Sequence, residues 1–265
     1  MGKLKWLLIL TFLVTIICTT PVLAADAEST IIHDQLREVN EASLDQLEKA
    51  MYEAGLSSSS GPMSIQSATT VYIGTDKTLT TANAGNCGWS GSGLGTHGEG
   101  FSALDSPQWA DAGVYLTGEG NIGSWAWIGN TISVQGTQAQ YATIDFGGDY
   151  NGSILCLTPY STGGMRIVVS VEDLNTGTVV GSYTVKSTSG IRSATYDASI
   201  NNSVKVKLYP NHIYALRIGV NATVVSTVSP TQAQSVFCNT NGLGGWTPGL
   251  GGEGIEYSSI SIDWN

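Results

Sequence analysis

The chain has 265 residues, with 11 Lys and Arg against 21 Asp and Glu, a formal net charge of −10. No basic run interrupts that excess, which argues against nucleic acid as a partner. Few charges combined with 33 glycines fit an extracellular β-protein better than a cytosolic enzyme.

Residues 1–24 have the form of a signal peptide. Lys3 and Lys5 make a short basic region, Trp6–Ile17 is apolar, and Val22-Leu23-Ala24 offers a cleavage point after Ala24. The protein is therefore expected to be secreted or held at the cell surface, meeting a membrane only through this segment if it stays uncleaved. No later stretch is long and apolar enough to span a bilayer.

Residues 25–56 predict an amphipathic helical extension. Ile32, Leu36, Val39, Leu44, Leu47, Met51 and Ala54 follow 3–4 spacing, Ser29 or Thr30 can cap the start, and Gly55 suits the end. Two roles follow from that stripe: packing on the rest of the protein, or self-association. Residues 57–62, SSSSGP, make a flexible linker, and residues 63–265 a separate domain.

That domain is β throughout. The predicted strands are Thr69–Ile73, Val114–Thr117, Trp125–Ile128, Thr131–Val134, Tyr141–Phe146, Ser153–Thr158, Arg166–Glu172, Val179–Lys186, Val204–Tyr209, Ile213–Val220 and Tyr257–Trp264. Gly147-Gly148 and Pro159 serve as stops. Leu174-Asn175-Thr176-Gly177 makes a hairpin turn, with Gly177 where positive φ is needed. In the last strand Tyr257, Ser259, Ser261 and Asp263 share one face, and Ser258, Ile260, Ile262 and Trp264 the other. Many short strands between frequent turns predict an antiparallel Greek-key or jelly-roll β-sandwich. Leu208-Tyr-Pro210-Asn-His-Ile-Tyr214 looks like a tyrosine corner, in which a Tyr hydroxyl returns to upstream backbone where the chain crosses between sheets.

Two Gly-rich stretches echo each other, CGWSGSGLGTHGEGF over Cys87–Phe101 and CNTNGLGGWTPGLGGEGI over Cys238–Ile255, and a third Gly-Glu-Gly stands at Gly118–Gly120. They are expected to be loops at one end of the sandwich. Their cysteines suggest a Cys87–Cys238 disulfide in an oxidising compartment, while Cys156, in the apolar run Ile154–Leu157, is expected to be a buried thiol. Asn151, Asn201 and Asn221 begin glycosylation sequons.

No catalytic signature is present. Gly88-Trp-Ser90-Gly-Ser92 misses the nucleophile-elbow pattern, and the β domain holds only His97 and His212, the latter in a structural turn. Trp89 and Trp246 among glycines can present indole faces to a sugar ring or to a partner. Glu99, Glu119 and Glu253, each between glycines, are polar contacts and candidate Ca²⁺ ligands; no other cofactor is called for. The sequence thus points to a non-catalytic binding or structural-assembly role toward a glycan or a neighbouring surface subunit. Two finer alternatives remain: a carbohydrate-binding module using the loop tryptophans, and a secreted hydrolase using loop carboxylates such as Glu99 and Glu253.

Overall fold

A computed structural model describes residues 30–54, 64–65, 68–93, 96–104, 108–227, 233–237 and 254–265, leaving aside the side chains of Ser64, Ile65, His97, Glu99, Phe101 and residues 233–237. The signal segment, the Ser-rich linker, Cys238, Trp246 and Glu253 lie outside the described residues.

Among the described residues, in chain order, a helix, α1 (residues 30–54), is followed by fourteen strands. They are β1 (Ser64–Ile65), β2 (Thr69–Tyr72), β3 (Lys77–Leu79), β4 (Ala84–Gly93), β5 (Thr96–Ala103), β6 (Trp109–Leu116), β7 (Gly120–Gln135), β8 (Gln140–Cys156), β9 (Ser161–Asp173), β10 (Thr178–Ile191), β11 (Ser193–Leu208), β12 (Ile213–Ser226), β13 (Ala233–Phe237) and β14 (Gly254–Trp264). One sheet, A, orders β1-β4-β7-β12-β9-β10, with β2 beside β7. The other, B, orders β11-β8-β13-β6-β14-β3, with β5 on β6. The expected β-sandwich is what forms, although β2 runs parallel to β7.

Between the sheets lies one apolar core, with Ile122, Ala126, Ile128 and Ile132 from β7, Ile144, Phe146 and Ile154 from β8, and Leu216, Ile218 and Val220 from β12. No residue of α1 belongs to it. The helix makes a third layer on the outer face of sheet A, where Leu47, Met51 and Ala54 meet Trp125, Trp127 and Val168. The stripe proposed for self-association is therefore covered by the protein's own sheet. It also differs by a residue: Val39 is exposed, and Asn40 is buried with Leu36, Leu44, Leu47 and Met51.

The strands are longer than predicted. Trp125–Ile128 and Thr131–Val134 are parts of one strand, β7, and Tyr141–Phe146 and Ser153–Thr158 are both in β8, except that the latter ends at Cys156. Gly129, inside β7, and Gly148, expected to be a stop, are places of close approach. A Cβ on Gly129 would fall 1.9 Å from the Leu216 carbonyl oxygen, and one on Gly148 2.5 Å from that of Glu256. The Cys87–Phe101 stretch is likewise mainly strand, in β4 and β5.

A bulge between Tyr257 and Ser259 corrects the alternation expected in β14. It turns Tyr257 inward with Ile260 and Ile262, and its hydroxyl donates to the Leu79 carbonyl or the Asn130 side-chain oxygen, each at 2.7 Å. Two turn predictions hold. Gly177 closes the β9–β10 hairpin at φ 66°, and the Tyr214 hydroxyl accepts from the Tyr209 N–H at 2.8 Å. That corner carries the chain from β11 in sheet B to β12 in sheet A, with Leu208 buried, Pro210 half-buried and Asn211 at φ 65°. His212 supports it through Nδ1, 2.7 Å from an Asp173 oxygen.

Candidate functional site

The first candidate is the end of the sandwich around Trp89. In β4 the even positions Asn86 and Gly88 face α1, so Cys87 and Trp89 face the other way, toward β5. A Cβ on Gly98 would lie 3.0 Å from that of Trp89, and one on Gly100 2.8 Å from that of Cys87. Glycine is needed at both places for β4 to cross over β5. The Trp89 indole rests over bare backbone and stays 56% exposed.

Beside it, Gly93 pairs with Gly120, at φ 135° and 158°. A Cβ on Gly93 would fall 2.4 Å from the Glu119 carbonyl oxygen, so the Gly-Glu-Gly at 118–120 adjoins the first Gly-rich hairpin. The Glu119 side chain is exposed. Glu99 pairs with Gly113 through its backbone; its side chain and that of His97 lie outside the described residues.

The second Gly-rich stretch can be followed only where it enters β14. Ser102 and Ile255 both pair with Ala110, from opposite sides of β6, so the strands that continue the two echoes run about 10 Å apart. Among the described residues no three of His, Cys, Asp and Glu are grouped to hold a metal ion.

A second polar and aromatic assembly lies under α1. Alternate residues of β7, β12 and β9 form cross-strand rows there: Trp125, Asn221 and Arg166; Trp127, Gly219 and Val168; Gly129, Arg217 and Ser170. Arg217 is buried against Glu172, its guanidinium 4.8 Å from the Trp127 ring centre. Loss of water pushes the Glu172 carboxyl up and the Arg217 guanidinium down, and the attraction between them opposes both shifts. Asn221 is fully buried, and neither its amide nitrogen nor its oxygen has a hydrogen-bond partner; Trp127 Nε1 has none either. The sequence reading missed this face because polar residues at strand period look like a solvated surface.

The helix is keyed to that face. A Cβ on Gly123 would lie 2.4 Å from Leu47 Cδ1, one on Gly219 2.5 Å from Met51 Sδ, and one on Gly164 3.3 Å from Leu44 Cδ1. Arg166 clamps the rim through Asp45 at 2.7 Å and Glu48 at 2.9 Å.

The outer face of sheet B is open. Asp145, Ser203 and Ser261 stand side by side, and Ser203 donates to Asp145. A hydrogen bond with Asp145 holds the Asp263 carboxyl above the ordinary range. At the end of this face Lys205 and Lys207 lie over the exposed Tyr141 ring, at 5.8 and 6.0 Å.

Cys156 is buried, as expected, and loss of water pushes its thiol up to about 12. Asn221, being buried in β12, is corrected as a glycosylation site. Asn151 accepts from the Gly254 N–H at 2.9 Å, and Asn201 is exposed.

The described residues form a β-sandwich with an exposed aromatic end, a helix-covered polar face and an open polar face. No protein-family profile and no curated protein matches the chain. Solved structures resemble its fold. One is a carbohydrate-binding module from the β-sandwich superfamily, at 10% identity and TM-score 0.25, over 68% of this chain. This chain spans 56% of that one. A second is the family 11 carbohydrate-binding module of a cellulosomal cellulase of Clostridium thermocellum, at 10% identity and TM-score 0.18, over 54% of this chain and 88% of that one. A third is the CBM22-1 xylan-binding domain from Paenibacillus barcinonensis, at 8% identity and TM-score 0.20, over 78% of this chain and 97% of that one. In the described residues no helix is long and apolar enough to cross a membrane.

Proposed function

We propose that this chain is a non-catalytic glycan-binding β-sandwich acting outside the cell or at its surface. The observation that carries the reading is Trp89, a large indole left more than half exposed above a floor of glycine. Water around so large an apolar face is released when a pyranose ring stacks on it, and the bare backbone beside it lets a polymer approach closely. Glu119 stands at the same end to accept hydroxyl hydrogen bonds. Trp246, Glu99 and Glu253, from the matching Gly-rich segments, complete the binding end in this reading.

The test is a pull-down of wild type and Trp89→Ala/Trp246→Ala on insoluble cellulose, xylan and chitin, with and without Ca²⁺. Each stacked ring contributes about 1 kcal/mol, so the double variant is expected to bind more than tenfold more weakly with its β-sheet circular dichroism unchanged. A folded double variant that binds as wild type does would overturn the reading. A difference with Ca²⁺ would bring the Gly-flanked glutamates in as ligands.

A further inference from the structure

We infer that the outer face of sheet A is a second saccharide-binding cleft, and that α1 is the cover occupying it. The inference extends the glycan-binding reading to a different surface.

The face carries what a sugar-binding surface needs and a helix seat does not. Trp125 and Trp127 present two indoles from one strand, about 6.8 Å apart along it. Around them stand an amide, a guanidinium and a carboxylate, from Asn221, Arg217 and Glu172. These groups can give and accept hydroxyl hydrogen bonds at once, whereas α1 meets the Arg217 guanidinium with the Tyr52 ring, 5.9 Å away, and offers Asn221 no partner. With α1 in place the mismatch is visible. Both polar atoms of Asn221 and Trp127 Nε1 are buried without partners, and so is the Asn40 side-chain oxygen on the helix itself. Buried polar atoms are nearly always satisfied, so a cluster of orphans on one face marks a surface with another occupant.

The cover can leave without disturbing the sandwich. The core between the sheets contains no residue of α1. The helix ends beside β4, where the Ala54 carbonyl accepts from Asn86, and the chain re-enters at β1, paired with Gly85 and Ala84 of the same strand. Nine residues, 55 to 63, join these neighbouring points, and nine residues reach about 30 Å when extended. Of the rim contacts that hold α1, Arg166 with Asp45 and Ser189 with Glu41 use exposed carboxylates that compete with water and salt, while the Arg166–Glu48 pair is half-buried.

The experiment uses the full chain with cellohexaose and xylohexaose as probes, followed by titration calorimetry. Leu47→Asp/Met51→Asp puts carboxylates over Gly123 and Gly219 and releases the helix. Asn40→Cys/Thr162→Cys, at a contact of 2.6 Å between helix and β9, pins it when oxidised. The released variant is expected to bind one probe at least tenfold more tightly than wild type. Adding Asn221→Ala should remove that gain, and the oxidised pin should hold affinity at or below wild type while the reduced pin restores it. A released variant with wild-type affinity overturns the inference, and so does one whose gain survives Asn221→Ala. A released variant that loses its β-sheet circular dichroism overturns it too, by showing that α1 completes the fold. Trp89→Ala separates the two readings, since it weakens binding at the open end and leaves the gain on release untouched.

Discussion

Tyr214 shows how one hydroxyl can hold a crossing between sheets. It is buried in β12 and accepts the Tyr209 N–H, which has no strand partner at the turn. Tyr214→Phe keeps the ring and orphans that donor, so the expected loss is about 1–2 kcal/mol, read as a lower denaturant midpoint at unchanged slope. This residue was legible in the sequence, since Leu208-Tyr-Pro-Asn-His-Ile-Tyr214 is a local pattern with a local cause. Tyr257 was not, because its inward turn depends on a bulge that alternation cannot reveal. Nor was Asn221, whose sequon looks the same in a strand under a helix as in an exposed loop. Asp263 allows a pH prediction. Asp145 shares a hydrogen bond with it and raises its pKa above the unfolded value, so the folded state takes up the proton more readily. The resulting stability is fully present below the ordinary carboxylate pKa and is lost as pH rises through the raised one. Asp263→Asn removes this dependence, and the difference in melting temperature between acidic and neutral buffer should shrink. An unchanged difference would show that Asp145 does not hold the proton on Asp263.

At the scale of elements, α1 and sheet A fit through glycine. Leu44, Leu47 and Met51 sit over Gly164, Gly123 and Gly219, and the core between the sheets is built without them. Deleting residues 26–60 should therefore leave a folded sandwich of lower stability with newly exposed indoles. Retained far-ultraviolet β signal, a lower melting temperature and red-shifted Trp emission are the expected readings; a chain with no cooperative melt would show that the helix is part of the fold. The helix itself was legible from its spacing. Its docking was not, because the sockets are glycines scattered over three strands, and glycine in a sequence signals a turn as readily as a close approach. The same ambiguity split β7 and β8 in the sequence reading and made a loop of what is β4 and β5.

At the scale of the molecule, the two Gly-rich echoes feed strands on either side of β6, which was foreseeable only as a guess from their likeness. Cys87 lies in β4 against Gly100, and Gly100 pairs with Ala112, which also pairs with Phe237, the residue before Cys238. The Cys87–Cys238 bridge remains a proposal; if present, it stabilises by on the order of 4 kcal/mol through chain entropy. Peptide mapping without reductant should recover the two cysteines linked, and their recovery in separate peptides would remove the bridge. The outermost strands have a further consequence. β10 ends at Ile191 and β11 begins at Ser193, so the edge of sheet A passes into the edge of sheet B through Arg192 alone. Along this side the sandwich is stitched shut by one continuous ribbon, and the Arg192 side chain is exposed. A single tryptic nick there would leave every other connection in place yet turn the seam into two loose selvedges, with Val180 and Tyr183 near one of them. Nicked protein should therefore polymerise edge to edge where intact protein stays dispersed, which light scattering during brief digestion would follow.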